Sequence, residues 1–129
     1  MQGSVVVILV VEDDPLIQEM VADSLTEGGF ETVLVPTGEE AVTLLQTDKS
    51  KYRALVTDIN LLGRLNGWEV GHRAREICPE IPVIYMTGSE ADQWTAHGVP
   101  PSVLLNKPFA PAQIVAAVAQ LLNTGAPPT

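Results

Sequence analysis

Short apolar runs alternate with segments of helical period along the whole chain. The first run, Val5–Val11, is a continuous stretch of β-branched residues and leucine, a pattern typical of a strand buried on both faces of a sheet. Similar runs predict four further strands at Thr32–Val35, Ala54–Thr57, Pro82–Met86 and Val103–Leu105. Strands that alternate with helical segments indicate a parallel sheet whose strands are joined by helical crossovers.

Residues suited to helix ends stand between these strands. Asp14 and Pro15 predict the N-cap and the first turn of the first helix, and Gly28 predicts its end. The apolar positions of this helix predict one buried face, formed by Leu16, Ile17, Met20, Val21, Ser24 and Leu25. Two pairs have the spacing of a capping box at the start of the second and third helices, Thr37 with Glu40 and Asn66 with Glu69.

Two more helices complete the pattern. A weak helix covers roughly Glu90–His97, and Pro111 opens the last helix. We therefore predict a single α/β domain over residues 1–129, with a five-stranded, doubly wound sheet and helices on both of its faces. Its core spans about residues 5–122, and residues 123–129, which lack periodicity, are expected to form a frayed tail.

Composition and charge narrow the class of protein further. The chain has 129 residues, of which 46% are apolar, and this size suits one domain with its own core. Sixteen acidic and seven basic residues give a net charge of −9, which argues against binding to nucleic acid. The single cysteine, Cys78, excludes an internal disulfide, and the first apolar run is too short to span a membrane. We expect a cytoplasmic protein without a membrane partner.

Polar side chains stand where four of the five predicted strands end. The first strand is followed by Glu12 and Asp13, the third by Asp58, the fourth by Thr87 and the fifth by Lys107. Lys107 is the last basic residue of the chain and stands in an apolar stretch. Because ligands of an open parallel sheet bind at the carboxyl ends of its strands, we expect these side chains to form one site.

These residue types suit phosphoryl transfer. Crowded carboxylates repel one another unless a cation lies between them, and Mg²⁺ binds carboxylate and phosphate oxygens. A carboxylate can also act as a nucleophile and form an acyl phosphate. Lys107 and the Thr87 hydroxyl can stabilise the equatorial phosphoryl oxygens, so the set is sufficient for Asp58 to accept a phosphoryl group.

Four stretches of the chain resemble the receiver domains of two-component response regulators. They are Val10–Asp14, Leu55–Asp58, Met86–Gly88 and Asn106–Phe109, in the order and at the intervals of that family. The resemblance covers residues 5 to about 122 and implies a flavodoxin-like fold with strand order 2-1-3-4-5. It also implies a cis peptide bond between Lys107 and Pro108.

The resemblance implies a role for each polar residue at the strand ends. Asp58 is the expected phospho-acceptor, which receives its phosphoryl group from a histidine of a sensor kinase or a phosphotransfer protein. Thr87 resembles the switch hydroxyl of the family, and Lys107 resembles the lysine that pairs with the phosphoryl group. Such a domain regulates partner proteins and is not an enzyme with a diffusible substrate, and family analogy allows a homodimer through the fourth helix and fifth strand.

The resemblance also implies a set of Mg²⁺ ligands. The ion is expected on the carboxylates of Asp13 and Asp58 and on the backbone carbonyl of Asn60. Glu12 is expected to act through bound water.

Two features depart from the pattern of that family. Leu62 stands four residues after Asp58, where a proline is usual, and Gly67 stands one residue later than in the commonest pattern. The loop Leu61–Asn66 is therefore expected to be longer and more flexible. Leu104 replaces the aromatic residue that many members carry three residues before the lysine, so we expect a readout that buries no ring at that position.

Other functions are compatible with a fold of this kind. A flavin-binding module is disfavoured, because the acidic loop Glu12–Pro15 would repel a flavin phosphate. An aspartate-nucleophile phosphatase usually carries a second acid two residues after the nucleophile, where this chain has Asn60. The alternative left open is a degenerate receiver that acts as a constitutive docking module, because the loop after Asp58 and Leu104 are atypical. Separately, Trp94 in the weak fourth helix is expected to be exposed and to contribute to a partner surface.

Overall fold

The strands and helices alternate through residues 5–125, which a computed structural model of the chain describes. Their bounds are β1 Val7–Val11, α1 Pro15–Glu27, β2 Glu31–Val35, α2 Gly38–Thr47, β3 Tyr52–Asp58, α3 Gly67–Ile77, β4 Val83–Thr87, α4 Trp94–His97, β5 Val103–Asn106 and α5 Pro111–Gly125. The five predicted strands are confirmed, and the predicted bounds differ from these by at most two residues at either end. Within the described residues no helix is long and apolar enough to cross a membrane.

The five strands form one parallel sheet in the order β2-β1-β3-β4-β5, as predicted. The chain runs from β1 outward to β2 and then returns to place β3 on the other side of β1. The direction of winding therefore reverses between β1 and β3, and the carboxyl ends of these two strands flank the crevice where such sheets bind their ligands.

Both faces of the sheet are covered, because side chains of a strand alternate between its two faces. Leu9 and Val11 of β1 belong to a core cluster with residues of α2 and α3, whereas Ile8 and Val10 belong to a second cluster with residues of α1 and α5. A strand buried on both sides needs a continuous apolar run, and this requirement explains the composition of β1.

Side-chain caps fix the starts of three helices where the sequence predicts them. The Asp14 carboxylate accepts a hydrogen bond from the Leu16 backbone at the start of α1. The amide of Glu40 donates to the Thr37 hydroxyl at the start of α2. Asn66 and Glu69 form a complete capping box at the start of α3, with both bonds at 2.9 Å.

Three local predictions are wrong or incomplete. Leu16 is 77% exposed, because it lies about 180° around the helix from the buried Leu25 at 3.6 residues a turn. The predicted helix over Glu90–His97 is one 3₁₀ turn followed by one α-helical turn. Trp94 is only partly exposed, since its ring packs against the core and its indole N–H donates to Ser102.

The predicted frayed tail begins too early. Helix α5 continues through Gly125, so residues 123–125 belong to it, and residues 126–129 lie outside the described residues.

Candidate functional site

The carboxyl ends of β1 and β3 bring three carboxylates together. Val11 pairs with Thr57 in the sheet, so Glu12 and Asp13 follow β1 beside the place where β3 ends at Asp58. One carboxylate oxygen from each of these three acids lies within 4.8 Å of the other two. Because the two strands are parallel neighbours, residues 45 positions apart in the chain meet at one edge of the sheet.

Asp58 is the centre of the site. Its side chain is 8% exposed, one carboxylate oxygen accepts a hydrogen bond from the Ile59 amide at 2.8 Å, and the other lies 3.1 Å from Lys107 Nζ. The backbone N–H of Lys107 donates a hydrogen bond of 2.7 Å to the Thr87 carbonyl, and this bond places the lysine beside Asp58. The Lys107–Pro108 peptide is cis, as predicted. Two fixed partners therefore hold the plane of the Asp58 carboxylate.

Glu12 is completely buried beside these groups. Its carboxylate accepts hydrogen bonds from the Asp14 amide at 3.0 Å and from Lys107 Nζ at 3.3 Å. Burial, together with the nearby charge of Asp58, nevertheless raises the pKa of Glu12 to about 7. Burial alone lowers the pKa of Lys107, but the attraction of Asp58 and Glu12 outweighs it and the pKa is raised.

The arrangement fits a hard divalent cation. Three carboxylates converge here, and Lys107 is the one ammonium group paired with them among residues 5–125. Carboxylate oxygens are the ligand type that Mg²⁺ prefers. The pKa of Glu12 stays raised despite the Lys107 ammonium, mainly because the carboxyl group is buried and in part because of the Asp58 charge.

Two carboxylates hold the unusual loop between β3 and α3. The Leu62 amide donates to Asp13 Oδ2 at 3.2 Å, and the Arg64 amide donates to Glu39 Oε2 at 2.8 Å. Gly63 between them has φ of +97°, a conformation that favours glycine. The extra length of the loop is thus accommodated by a turn at Gly63, and the amides on either side of this glycine are hydrogen-bonded to carboxylates. Sequence reasoning missed Glu39, because no local spacing connects α2 with this loop.

Thr87 has a hydrogen-bond partner that the sequence analysis did not identify. The buried Thr87 hydroxyl donates to Glu90 Oε1 at 2.9 Å and accepts from the Glu90 amide at 2.8 Å. The other oxygen of Glu90 accepts from the Asn60 side-chain amide and from the Ser89 hydroxyl, both at 2.9 Å. These hydrogen bonds lower the pKa of Glu90, and the bond from Asn60 has the largest effect. Thr87 and Glu90 have the spacing of a capping pair, and this signal could have identified Glu90.

A buried aromatic ring lies next to Leu104 on the neighbouring strand. Tyr85 of β4 pairs with Leu104 of β5, and its ring lies 4.8 Å from that of Trp68. The Tyr85 hydroxyl accepts a hydrogen bond from the Val99 amide at 3.0 Å, and burial raises its pKa. Both aromatic rings are thus in the core of the domain, although position 104 itself is aliphatic.

We expect the buried acid Glu12 to make the stability of the Mg²⁺-free domain depend on pH. Above about pH 4.5 the unfolded chain has lost this proton, whereas the folded domain keeps it until about pH 7, so the free energy of unfolding falls as pH rises through this window. The contribution of this residue to the free energy of unfolding should be on the order of 3 kcal/mol.

Urea denaturation in EDTA at several pH values measures this effect. Glu12→Gln should remove this fall in the free energy of unfolding. At about pH 8 the variant should unfold at a higher urea concentration than the unsubstituted protein. Equal losses of stability in the two proteins over this window would contradict the prediction.

This fold and site define a receiver domain, and comparison with known proteins gives its family. The family model for the response regulator receiver domain matches residues 8–119, so the chain belongs to that family and is a receiver domain of the two-component type. A response regulator receiver protein from Sinorhizobium medicae is 37% identical and superposes with a TM-score of 0.91, over 95% of this chain and 98% of its own.

Two further relatives extend the comparison. The response regulator MprA of Mycolicibacterium vanbaalenii is 31% identical over 122 residues, which are 93% of this chain and 52% of that protein. The chain thus spans about half the length of the curated relatives it matches. The receiver domain of a sensor histidine kinase from Pseudomonas aeruginosa has the same fold, with a TM-score of 0.80 at 24% identity over 93% of this chain and 99% of its own, and its crystal structure holds a magnesium ion in the active-site cleft.

Proposed function

We propose that this domain accepts a phosphoryl group on Asp58 and thereby regulates partner proteins. One observation carries the proposal: the buried Asp58 carboxylate lies 3.1 Å from the Lys107 ammonium and within 4.8 Å of two further carboxylates. A nucleophilic carboxylate, a fixed cation and a cluster of hard oxygen ligands are the groups that phosphoryl transfer to an acid requires.

In the proposed reaction an oxygen of the Asp58 carboxylate attacks the phosphorus atom of a phosphohistidine on a sensor kinase or a phosphotransfer protein. The P–O bond forms as the P–N bond breaks, and the imidazole leaves with the electron pair of that bond and takes a proton from solvent. The product on this chain is an acyl phosphate. Later attack by water releases inorganic phosphate and restores the carboxylate.

The three converging carboxylates support a metal site on Asp13 and Asp58. The family resemblance adds the backbone carbonyl of Asn60 as a ligand and a role through bound water for Glu12. When bound there, Mg²⁺ supplies positive charge beside the oxygens of the phosphoryl group. The magnesium ion in the receiver domain from Pseudomonas aeruginosa supports this assignment.

Lys107 and Thr87 act on the phosphoryl group after transfer. The Lys107 ammonium already lies beside Asp58, and its raised pKa keeps it charged, so it pairs with the added negative charge. The Thr87 hydroxyl, at the end of the neighbouring strand β4, donates to a phosphoryl oxygen once it leaves Glu90. These bonds favour one conformation of the loops after β3 and β4, and that population shift is the signal to the partner.

The partners follow from the family and from the place of the site in the fold. The phosphoryl donor is a sensor histidine kinase or a histidine phosphotransfer protein, as the two-component family of this chain suggests. The output is a protein contact, and its surface includes α4 and β5. The segment after Thr87 leads to α4, and β5 ends at Asn106, directly before Lys107.

Binding of beryllofluoride, a mimic of the phosphoryl group, tests the proposed function. We expect saturable binding in millimolar Mg²⁺, followed by fluorescence of the two tryptophans and by amide NMR shifts at Asp58, Thr87 and Lys107. Removal of Mg²⁺ with EDTA should abolish the binding, because the mimic carries negative charge into a cluster of acids.

The NMR spectrum also serves as the folding control, because dispersed amide signals show that the domain is intact in either buffer. Equal binding with and without Mg²⁺ would contradict the metal site. Absence of binding by a folded domain in Mg²⁺ would contradict phosphoryl acceptance and favour the docking-module alternative.

A further inference from the structure

The Glu90 carboxylate joins the two loops that flank Asp58. One of its oxygens accepts the hydrogen bond of the Thr87 hydroxyl, in the β4–α4 connection. The other accepts a hydrogen bond from the side-chain amide of Asn60, which lies two residues after Asp58 in the β3–α3 connection. Glu90 and Asn60 are 30 residues apart in the chain, so this contact exists only in the folded domain.

The hydroxyl of Thr87 has one proton to donate, and Glu90 uses it. The lone pairs of the same oxygen accept from the amides of Ser89 and Glu90. A bond from this hydroxyl to a phosphoryl oxygen therefore requires that the bond to Glu90 breaks first. The Glu90 carboxylate and the phosphoryl group compete for a single proton donor.

The contact is more than an ordinary helix cap. Thr37 and Glu40 make the same pair of bonds at the start of α2, with the Glu40 amide donating to the Thr37 hydroxyl and that hydroxyl donating to the Glu40 carboxylate. The pair of Thr37 and Glu40 caps α2, a helix of ten residues, whereas Glu90 precedes a 3₁₀ turn of only three residues. Glu90 also reaches outside its own turn to Asn60.

We propose that Glu90 is a positioning residue that holds Thr87 and Asn60 in the unphosphorylated arrangement and competes with the phosphoryl group for the Thr87 hydroxyl. The proposal rests on the proposed function, since it concerns the same phosphoryl site. Glu90 thereby opposes the phosphorylated arrangement, although among residues 5–125 it makes no hydrogen bond to Asp58 or to Lys107.

Beryllofluoride affinity in Mg²⁺ tests the competition. Glu90→Ala should bind the mimic at least about threefold more tightly, because a charge-assisted hydrogen bond no longer opposes the movement of Thr87. Glu90→Gln retains an acceptor without the charge and should give an intermediate affinity. In NMR spectra of the free domain, the Thr87 and Asn60 side-chain signals of Glu90→Ala should shift toward their positions in the bound protein.

A double-mutant cycle separates this role from a simple change of charge. In a Thr87→Val background, Glu90→Ala should leave beryllofluoride affinity unchanged, because the hydroxyl that is contested is absent. Glu40→Ala is the matched control, since it removes the same kind of threonine–glutamate pair and the same charge on α2, and it should leave the affinity unchanged.

Two results would overturn this inference while leaving the proposed function intact. One is that the unsubstituted protein binds beryllofluoride and Glu90→Ala binds it no more tightly. The other is that Glu90→Ala raises the affinity for beryllofluoride equally in the Thr87→Val background, which would mean that Glu90 acts only through its charge. Failure of the unsubstituted protein to bind beryllofluoride would overturn both the proposed function and the inference.

Discussion

Asp58→Asn is expected to abolish the incorporation of a phosphoryl group from a small phosphodonor such as acetyl phosphate. The amide that replaces the carboxylate is a poor nucleophile, and the carboxylate that it replaces lies at the end of β3, 3.1 Å from Lys107 Nζ. Intact-mass measurement in Mg²⁺ detects the added phosphoryl group, and the variant should stay at background.

The neighbouring acid Asp14 provides a matched control for this experiment. Asp14 caps α1 and is exposed, and asparagine is an equally good N-cap, so Asp14→Asn removes one negative charge without loss of the helix. We expect Asp14→Asn to incorporate phosphoryl groups as the unsubstituted protein does. Incorporation by Asp58→Asn at a normal level would show that another residue is the acceptor.

Gly67→Ala is expected to cause a large loss of stability. A Cβ atom at Gly67 would lie 2.1 Å from the carbonyl oxygen of Asp58 and 2.7 Å from the Cα atom of Ile59. Both are backbone atoms, so no side-chain rotation relieves the clash, and α3 must move away from the end of β3. We expect a loss of about 2–4 kcal/mol in urea denaturation, together with weaker beryllofluoride binding.

Gly88 offers the corresponding control on the next strand–helix connection. Apart from Gly88 itself and its two chain neighbours, no atom of the described residues would lie within 4 Å of a Cβ atom at this position, so Gly88→Ala should change the free energy of unfolding by no more than about 0.5 kcal/mol. A Gly67→Ala variant as stable as Gly88→Ala would show that α3 moves at little cost, and would contradict the close packing of this helix against the strand that carries Asp58.

Much of the site follows from local pattern combined with one rule about parallel sheets. The continuous apolar runs identified the strands, and the first polar residues after them included Glu12, Asp13 and Asp58. The rule that carboxyl ends of parallel strands share an edge was enough to predict that these acids meet, and they do.

Local pattern failed where the environment of a residue depends on a neighbouring element. Leu16 has the spacing of a buried helical position, but the rotation of α1 against the sheet places it in solvent. Trp94 has few apolar neighbours in the sequence, yet its ring is held by Ser102 and by the core. Spacing along one helix contains no information on the surface that the helix meets.

The positions of the five strands, the caps of α1, α2 and α3, and the five polar residues at the strand ends could be predicted from the amino-acid sequence, because each depends on neighbours within a few positions in the chain. The hydrogen bond from the β3–α3 loop to Glu39, and the link that Glu90 makes between Asn60 and Thr87, arise from tertiary packing. Both contacts connect segments 25 or more residues apart. They exist because sheet pairing, such as that of Asp58 with Met86, sets the distance between the loops that follow neighbouring strands.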